Sequence, residues 1–216
     1  MSGLFVSFEG GEASGKSSQV RRLAGALTER GRDVVLTREP GGTPLGERIR
    51  DVVLHARDVP LGTEAQVLLF SAARTELVRE VIRPALDAGR IVIADRFFDS
   101  TIAYQGYGHR APLDGVRAVT RFAVGALVPD RTFLLDIPVE VSLARTEARG
   151  EARWDRFESV GRDFHQRVRD GYLRLASAEP ARFVVLLGDR DESAIANDVR
   201  RAVDALLGAL AQPRSV

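Results

Sequence analysis

Apolar positions along the chain gather into short blocks that alternate with longer segments of helical periodicity. Leu4–Phe8 predicts a buried strand, and Val20, Leu23, Ala24 and Leu27 recur behind it at helical spacing. That helix is expected over about Lys16–Arg30, closed by Gly31. Val34–Thr37 predicts a second strand, which runs into the turn-rich Arg38-Glu39-Pro40-Gly41-Gly42-Thr43-Pro44. A short helix from Leu45 to about Ala56 follows. Thr63-Glu64-Ala65-Gln66 reads as a capping box opening a long helix towards Leu86, which Pro84 should kink or end.

Gly89 breaks the pattern before a third strand, Ile91–Ala94, that leads into Asp95-Arg96-Phe97-Phe98. A loop and short helix are expected over Asp99–Tyr107, and a helix over Asp114–Leu127. The fourth strand, Thr132–Leu135, ends at Asp136; Pro138 starts a helix that Gly150 stops. After the arginine-rich Glu151–Phe157 come a helix over Ser159–Ser177, a strand at Phe183–Leu187 and a last helix near Glu192–Leu210. Five short strands alternating with helices predict a doubly wound, five-stranded parallel α/β sheet in a single domain over 1–211, with 212–216 a frayed tail.

Composition narrows the chemistry. With 216 residues and ordinary apolar content, the chain suits one domain with a substantial core. It has no cysteine, so disulfides, thiolate metal sites and a cysteine nucleophile are excluded. A net charge of +1 argues against a nucleic-acid surface, and no apolar run approaches membrane length. A soluble, cytoplasmic protein with small-molecule partners is expected.

Ligands of such sheets bind beyond the carboxyl ends of the strands. The polar clusters Gly10–Ser17, Arg38–Thr43, Asp95-Arg96 and Asp136 all fall there. The first carries the strongest signal. Gly10, Gly15, Lys16 and Ser17 fit the phosphate-loop pattern G-x-x-x-x-G-K-[ST] between a strand and a helix. The loop Gly10-Gly11-Glu12-Ala13-Ser14-Gly15-Lys16-Ser17-Ser18 would wrap backbone N–H groups around a polyphosphate at a helix N-terminus. Lys16 would reach the β- and γ-phosphates, and the Ser17 hydroxyl would face Mg²⁺. Lys16 is also the only lysine in the chain, every other strongly basic side chain being arginine. A forked guanidinium cannot replace a compact ammonium inside such a loop.

Arg38 and Arg96 emerge from neighbouring strand ends, where two forks could grip an anionic acceptor. Asp95 ends strand three and Asp136 ends strand four, so either carboxylate could serve a Mg²⁺ ion. Phe70 and Arg74 share one helix face. By spacing alone, Phe70 reads as core and Arg74 as solvated.

The chain resembles bacterial thymidylate kinases, phosphate-loop nucleoside monophosphate kinases that move the γ-phosphoryl of ATP to dTMP. The matching stretches are Phe8–Ser18, Thr37-Arg38-Glu39-Pro40-Gly41-Gly42-Thr43, Phe70-Ser71-Ala72-Ala73-Arg74, Asp95-Arg96-Phe97, Ser100–Gly106 and Asp155-Arg156-Phe157-Glu158. The resemblance implies that Asp95, with Ser17, serves Mg²⁺. It implies that Phe70 stacks on thymine, that Arg74 reaches its O4, and that Ser100, Thr101 and Gln105 line the dTMP site. Tyr104 would crowd the sugar C2′ and Glu12 would take the 3′-hydroxyl. Residues 145–158 correspond to the lid that closes over ATP, with Arg145 near the donor phosphates. Family members place a catalytic arginine either in the phosphate loop or in the lid. Ala13 and Ser14 leave this loop without one, so the lid must supply it, Arg153 first and Arg149 second. The family also implies a homodimer, with the long helix after Thr63 as candidate surface.

Two departures from the family pattern stand out. Phe97 replaces a tyrosine or histidine, and the loop after strand five reads Leu187-Gly188-Asp189-Arg190. A different phosphoryl acceptor on the same scaffold is the nearest alternative. A guanine-reading switch is excluded, because an Asn-Lys-x-Asp box needs a second lysine.

Overall fold

The computed structural model describes residues 3–56, 58–150 and 155–211. Five strands, β1 (Leu4–Glu9), β2 (Val34–Arg38), β3 (Ile91–Asp95), β4 (Arg131–Asp136) and β5 (Phe183–Leu187), form one sheet in the order β2-β3-β1-β4-β5. Every pairing is parallel. The register sets Phe8 and Arg38 beside Asp95, so the polar strand ends come out on one rim.

The central strand explains both layers. Side chains alternate across a strand. Leu4, Val6 and Phe8 point into a core shared with Val20, Leu23 and Leu27 of α1 (Lys16–Glu29) and Val199 and Val203 of α9 (Glu192–Ala211). Phe5 points to the other face, covered by α3 (Thr63–Leu77), α6 (Leu113–Val124) and α8 (Arg162–Ala178). Ser7 and Glu9 follow Phe5 on that face, and both are fully buried. Ser7 Oγ lies 2.9 Å from Thr132 Oγ1. Arg182 donates to Thr132 Oγ1 at 2.8 Å and to both Asp99 oxygens at 2.6 and 2.9 Å. A polar stripe thus runs beneath α5 (Phe98–Thr101) to the β5 side of the sheet.

Three expectations change. Gly62, not Thr63, precedes the first turn of α3, and no side chain caps that end; Gln66 Nε2 instead donates to Leu61 O at 3.1 Å. Pro84 neither ends nor breaks the long helix. A wide i→i+5 turn at Val78–Ile82 precedes α4 (Arg83–Asp87), placing Pro84 in a first turn, where its missing N–H costs nothing. Of the loop and short helix expected over Asp99–Tyr107, the short helix is present as α5 and the loop is helical instead, with α5 continuing in wide turns from Ile102 to Gly108. The short helix expected from Leu45 to about Ala56 is α2 (Pro44–Arg50), which runs on in wide turns from Asp51 to His55, and α7 (Val139–Ala148) lies between Pro138 and Gly150 as expected. No helix among the described residues is long and apolar enough to cross a membrane.

Candidate active site

One cleft of about 1150 Å³ opens at the rim of strand ends. The loop from β1 to α1 forms its floor. Gly10 has φ 143°, and a Cβ there would sit 2.4 Å from Leu135 O, so both torsion and space demand glycine. Lys16 Nζ donates to Gly10 O (3.1 Å), Gly11 O (2.6 Å) and Ser14 Oγ (3.2 Å). Burial, then Arg96, push its ammonium down to about 8, against the pull of Glu12 and Asp95. Residues 12–18 face the cleft. Gly10 and Gly11 turn away and line a cavity of about 20 Å³ behind the loop, with Ser142, His165 and Arg169.

Ser17 Oγ donates to Asp95 Oδ2 at 2.5 Å at the cleft wall. Asp136, the competing carboxylate, is clamped by Arg169 through both oxygens at 2.7 and 2.9 Å and lines the rear cavity. Ser17 and Asp95 therefore place two adjacent oxygen atoms, of the hard kind a divalent cation takes, at the cleft wall. Among the described residues, no group of three or more His, Asp or Glu side chains could hold a metal alone.

Arg96 sits at φ 72°, an uncommon conformation for a side-chain-bearing residue, fixed by its N–H on Phe8 O at 2.9 Å. Its Nη1 donates to Gly10 O (3.0 Å), Ser100 Oγ (3.2 Å) and Tyr172 OH (3.2 Å). Its Nη2 donates to Glu12 Oε1 and Tyr104 OH, both at 3.1 Å. The guanidinium carbon lies 5.0 Å from the Tyr104 ring centre. Tyr104 OH also donates to Glu12. Burial pushes the Glu12 carboxyl up, but Arg96 and then Lys16 outweigh it and hold it at about 2. Beside this cluster, Arg38 Nη2 donates to Glu47 Oε2 at 3.0 Å, and Glu47 Oε1 accepts from Gly42 N at 2.8 Å.

Arg74 is not solvated, contrary to the reading from helical spacing. Its Nε donates to Glu39 Oε2 at 2.8 Å, and its Nη2 to Glu39 Oε2 at 2.6 Å and Thr101 Oγ1 at 2.9 Å. Arg74 Nη1 is buried without a partner among the described residues. Gln105 Nε2 donates to Gln66 Oε1 at 3.1 Å, and half-buried Phe70 packs beside Phe157 at 6.0 Å between ring centres. Phe70, Arg74, Thr101, Tyr104 and Gln105 all line the cleft, and Tyr104 joins them to the loop through its bond to Glu12.

Arg145 and Arg149 border the same cleft and are exposed. Arg145 Nη1 donates to Ala13 O (3.4 Å) and Gly188 O (3.3 Å), while Arg149 Nη2 pairs with Glu158. Arg153 and Trp154 lie outside the described residues. Arg156 belongs to the framework: it donates to Val53 O, Ala56 O and Val59 O at 3.1, 2.6 and 2.9 Å.

Sequence reasoning missed Glu9, Tyr172 and Asp155. Glu9 closes β1, and burial, then Asp99, push its carboxyl up to about 7. The polar alternation Ser7, Glu9 was the available signal. Asp155 caps a turn by accepting from Phe157 N (2.8 Å) and Glu158 N (3.1 Å); burial, then Glu12, push it up to about 6.

A family model described as thymidylate kinase matches residues 8–199. The thymidylate kinase of Ectopseudomonas mendocina is 47% identical over 210 residues, which is 97% of each chain. That of Bradyrhizobium sp. is 48% identical over 202 residues, covering 93% of this chain and 89% of its own. Among solved structures, thymidylate kinase from Ehrlichia chaffeensis superposes with a TM-score of 0.76 at 33% identity, covering 94% of this chain and 99% of that one.

Proposed function

The chain belongs to the thymidylate kinase family, and from that premise we propose that it phosphorylates dTMP by in-line transfer of the γ-phosphoryl of ATP. The carrying observation is the placement of Arg96 between the phosphate loop and the Phe70–Arg74–Tyr104 end of one cleft. Phosphoryl transfer needs two anions brought into line and their charge neutralised, and it asks little covalent help of the protein.

In this reading the donor phosphates lie on the loop from Gly10 to Ser18, with Lys16 on the transferring group. Lys16 would exchange its three loop acceptors for phosphate oxygens, which would restore the charge that burial weakens. Arg96 and Arg38 hold the dTMP phosphate. The acceptor oxygen is already ionised, so no general base is required. Ser17 and Asp95 would hold Mg²⁺, which when bound supplies charge neutralisation for the polyphosphate. Arg145 would steady the donor, and a lid arginine, Arg153 or Arg149, would stabilise the transferring phosphoryl.

At the base end, Phe70 stacks on thymine and Arg74 reaches O4, held by the bidentate Glu39. The buried, unpartnered Nη1 of Arg74 supports that assignment, since such a donor costs free energy until a ligand meets it. Ser100, Thr101 and Gln105 border the nucleotide. Tyr104 blocks a 2′-hydroxyl, and Glu12 takes the 3′-hydroxyl while anchoring Arg96. A homodimer is supported by α3 and α6, which pack together yet leave Leu68 59% and Phe122 92% exposed. The substrates are those of cytoplasmic nucleotide synthesis, and that compartment is part of the proposal.

The test offers dTMP, dUMP, dCMP and thymidine to the purified protein with ATP and Mg²⁺. A kcat/KM highest for dTMP by about tenfold or more is expected, because a site built around one base edge rejects its analogues. Preference for thymidine or dCMP would replace the acceptor.

A further inference from the structure

Behind Arg96 stand two residues that the mechanism above does not use. Glu9 is fully buried; its Oε1 accepts from Phe97 N at 2.8 Å, and its Oε2 accepts from Ser100 Oγ at 2.6 Å and Tyr172 OH at 2.8 Å. Each hydroxyl has a single proton to give. Spent on Glu9, it leaves the oxygen with lone pairs only, and both oxygens lie 3.2 Å from Arg96 Nη1. The two hydroxyl oxygens are 2.8 Å apart, so one could donate to the other, and the chain of donors would still end on Glu9. The direction is fixed at the Arg96 end, because a guanidinium has no lone pair to accept with, and at the Glu9 end whenever its carboxyl is ionised, because a carboxylate then has no proton to give.

We propose that Glu9 and Tyr172 are positioning residues for the acceptor phosphate: Glu9 draws the hydroxyl protons of Ser100 and Tyr172 to itself, and the oxygens so oriented hold the Arg96 guanidinium at the cleft wall. The inference rests on the reading of Arg96 as the acceptor-phosphate clamp. β1 strand alternation places Glu9 on the α5–α8 side of the sheet, where Ser100 follows Asp99 on α5 and Tyr172 rises from α8. The left-handed backbone of Arg96 fits this account, because a strained conformation persists only where its surroundings over-determine it.

Glu9→Gln keeps the shape and removes one acceptor. If its amide oxygen stays with Phe97 N–H, its NH₂ meets both hydroxyls and turns their protons towards Arg96. Tyr172→Phe removes one of the two oxygens outright. Calorimetry with dTMP, inhibition constants for thymidine and KM for ATP would be measured for wild type, both variants and the double variant. Each single variant is expected to weaken dTMP binding about tenfold to a hundredfold, the range for a lost charged hydrogen bond. Thymidine, which has no phosphate for Arg96, and ATP should move less than about twofold, and the double variant should be no worse than Glu9→Gln because the two act through one chain. Equal losses for dTMP and thymidine, or fully additive losses, would overturn the proposal. Should Glu9→Gln fail to fold, the dTMP-against-thymidine split in Tyr172→Phe decides alone. Arg96→Ala separates the two layers. If it leaves dTMP binding intact, the clamp reading falls and this inference with it; if it abolishes binding while both other variants keep it, only the positioning role is wrong.

Discussion

The two ends of the cleft hold their arginines in opposite ways. At the end proposed for the acceptor, Arg74 is buried and Arg96 half-buried, and both are engaged on several sides, each with carboxylate, hydroxyl and aromatic neighbours. At the donor end Arg145 and Arg149 are exposed, and each leans on one or two acceptors that are not substrate-shaped. The first arrangement is preorganised: its geometry is determined before any anion arrives, so little ordering cost falls on binding. The second leaves its charges to be redirected when phosphate enters. On the proposed function the two suit different tasks, recognition of the acceptor at the first and enclosure of the donor at the second.

The sharpest way to break this comparison is Lys16→Ala. It should lower transfer by about a thousandfold or more, as expected for a charge acting on the transferring phosphoryl. Calorimetric dTMP affinity should survive, because Arg96, Arg74 and Phe70 do not depend on Lys16. A lost dTMP site would mean that the two ends fold as one unit.

Next in size is the lid. Arg153→Ala should lower kcat by about a hundredfold with KM for dTMP unchanged, an effect confined to the transition state. Arg149→Ala should cost less, since Glu158 already holds that side chain. The reverse ranking would transfer the role to Arg149, and two silent variants would empty the lid of catalytic charge.

At the acceptor end, Tyr104→Ala should relax discrimination against the ribonucleotide analogue by about tenfold, the value of a modest steric contact. Tyr104→Phe should relax it less, because the ring body remains. It should still weaken dTMP binding, since its hydroxyl accepts from Arg96 and donates to Glu12. Ratios of kcat/KM for the two nucleotides in both variants decide this, and equal loss of discrimination would move the role to the hydroxyl.

The smallest effect concerns protonation. An amine with a depressed pKa becomes nucleophilic at lower pH, so acylation of Lys16 should rise through about pH 8 instead of 10.5. Peptide mapping can follow it cleanly, as Lys16 is the only lysine. A polyphosphate on the loop should push that midpoint upwards by adding negative charge beside the ammonium. A midpoint near 10.5 without ligand would show that the loop does not bury its ammonium.

Much of this was legible because it is local. The strand–loop–helix grammar around Gly10–Ser17 and the apolar blocks of all five strands need only neighbours in sequence. Strand ends carrying Arg38 and Arg96 needed only the rule that parallel sheets bind at their carboxyl rim. What escaped depends on partners far along the chain. Glu9 meets Tyr172 across 163 positions, and Arg74 meets Glu39 across 35. Helical spacing places Arg74 on a face, but only the turn after β2 decides that the face is covered by a carboxylate. The capping box at Thr63 failed for a related reason: the Gln66 side chain is spent on Gln105 and on the Leu61 carbonyl before α3, not on the N–H of Thr63.

The polar stripe through Ser7, Thr132, Arg182 and Asp99 has a bearing on how this scaffold could be re-engineered. Asp99 sits between Phe98 and Ser100 on α5, and Arg182 grips it from the residue just before β5. The turn of α5 proposed to hold the acceptor is therefore not a cassette that can be swapped alone. Replacing residues 98–108 with a segment that lacks an acid at position 99 would leave the buried Arg182 with only half-exposed Glu179 as a partner, a loss of up to about 3–5 kcal/mol. Transplants that carry both ends of the pair should fold; those that carry one should not.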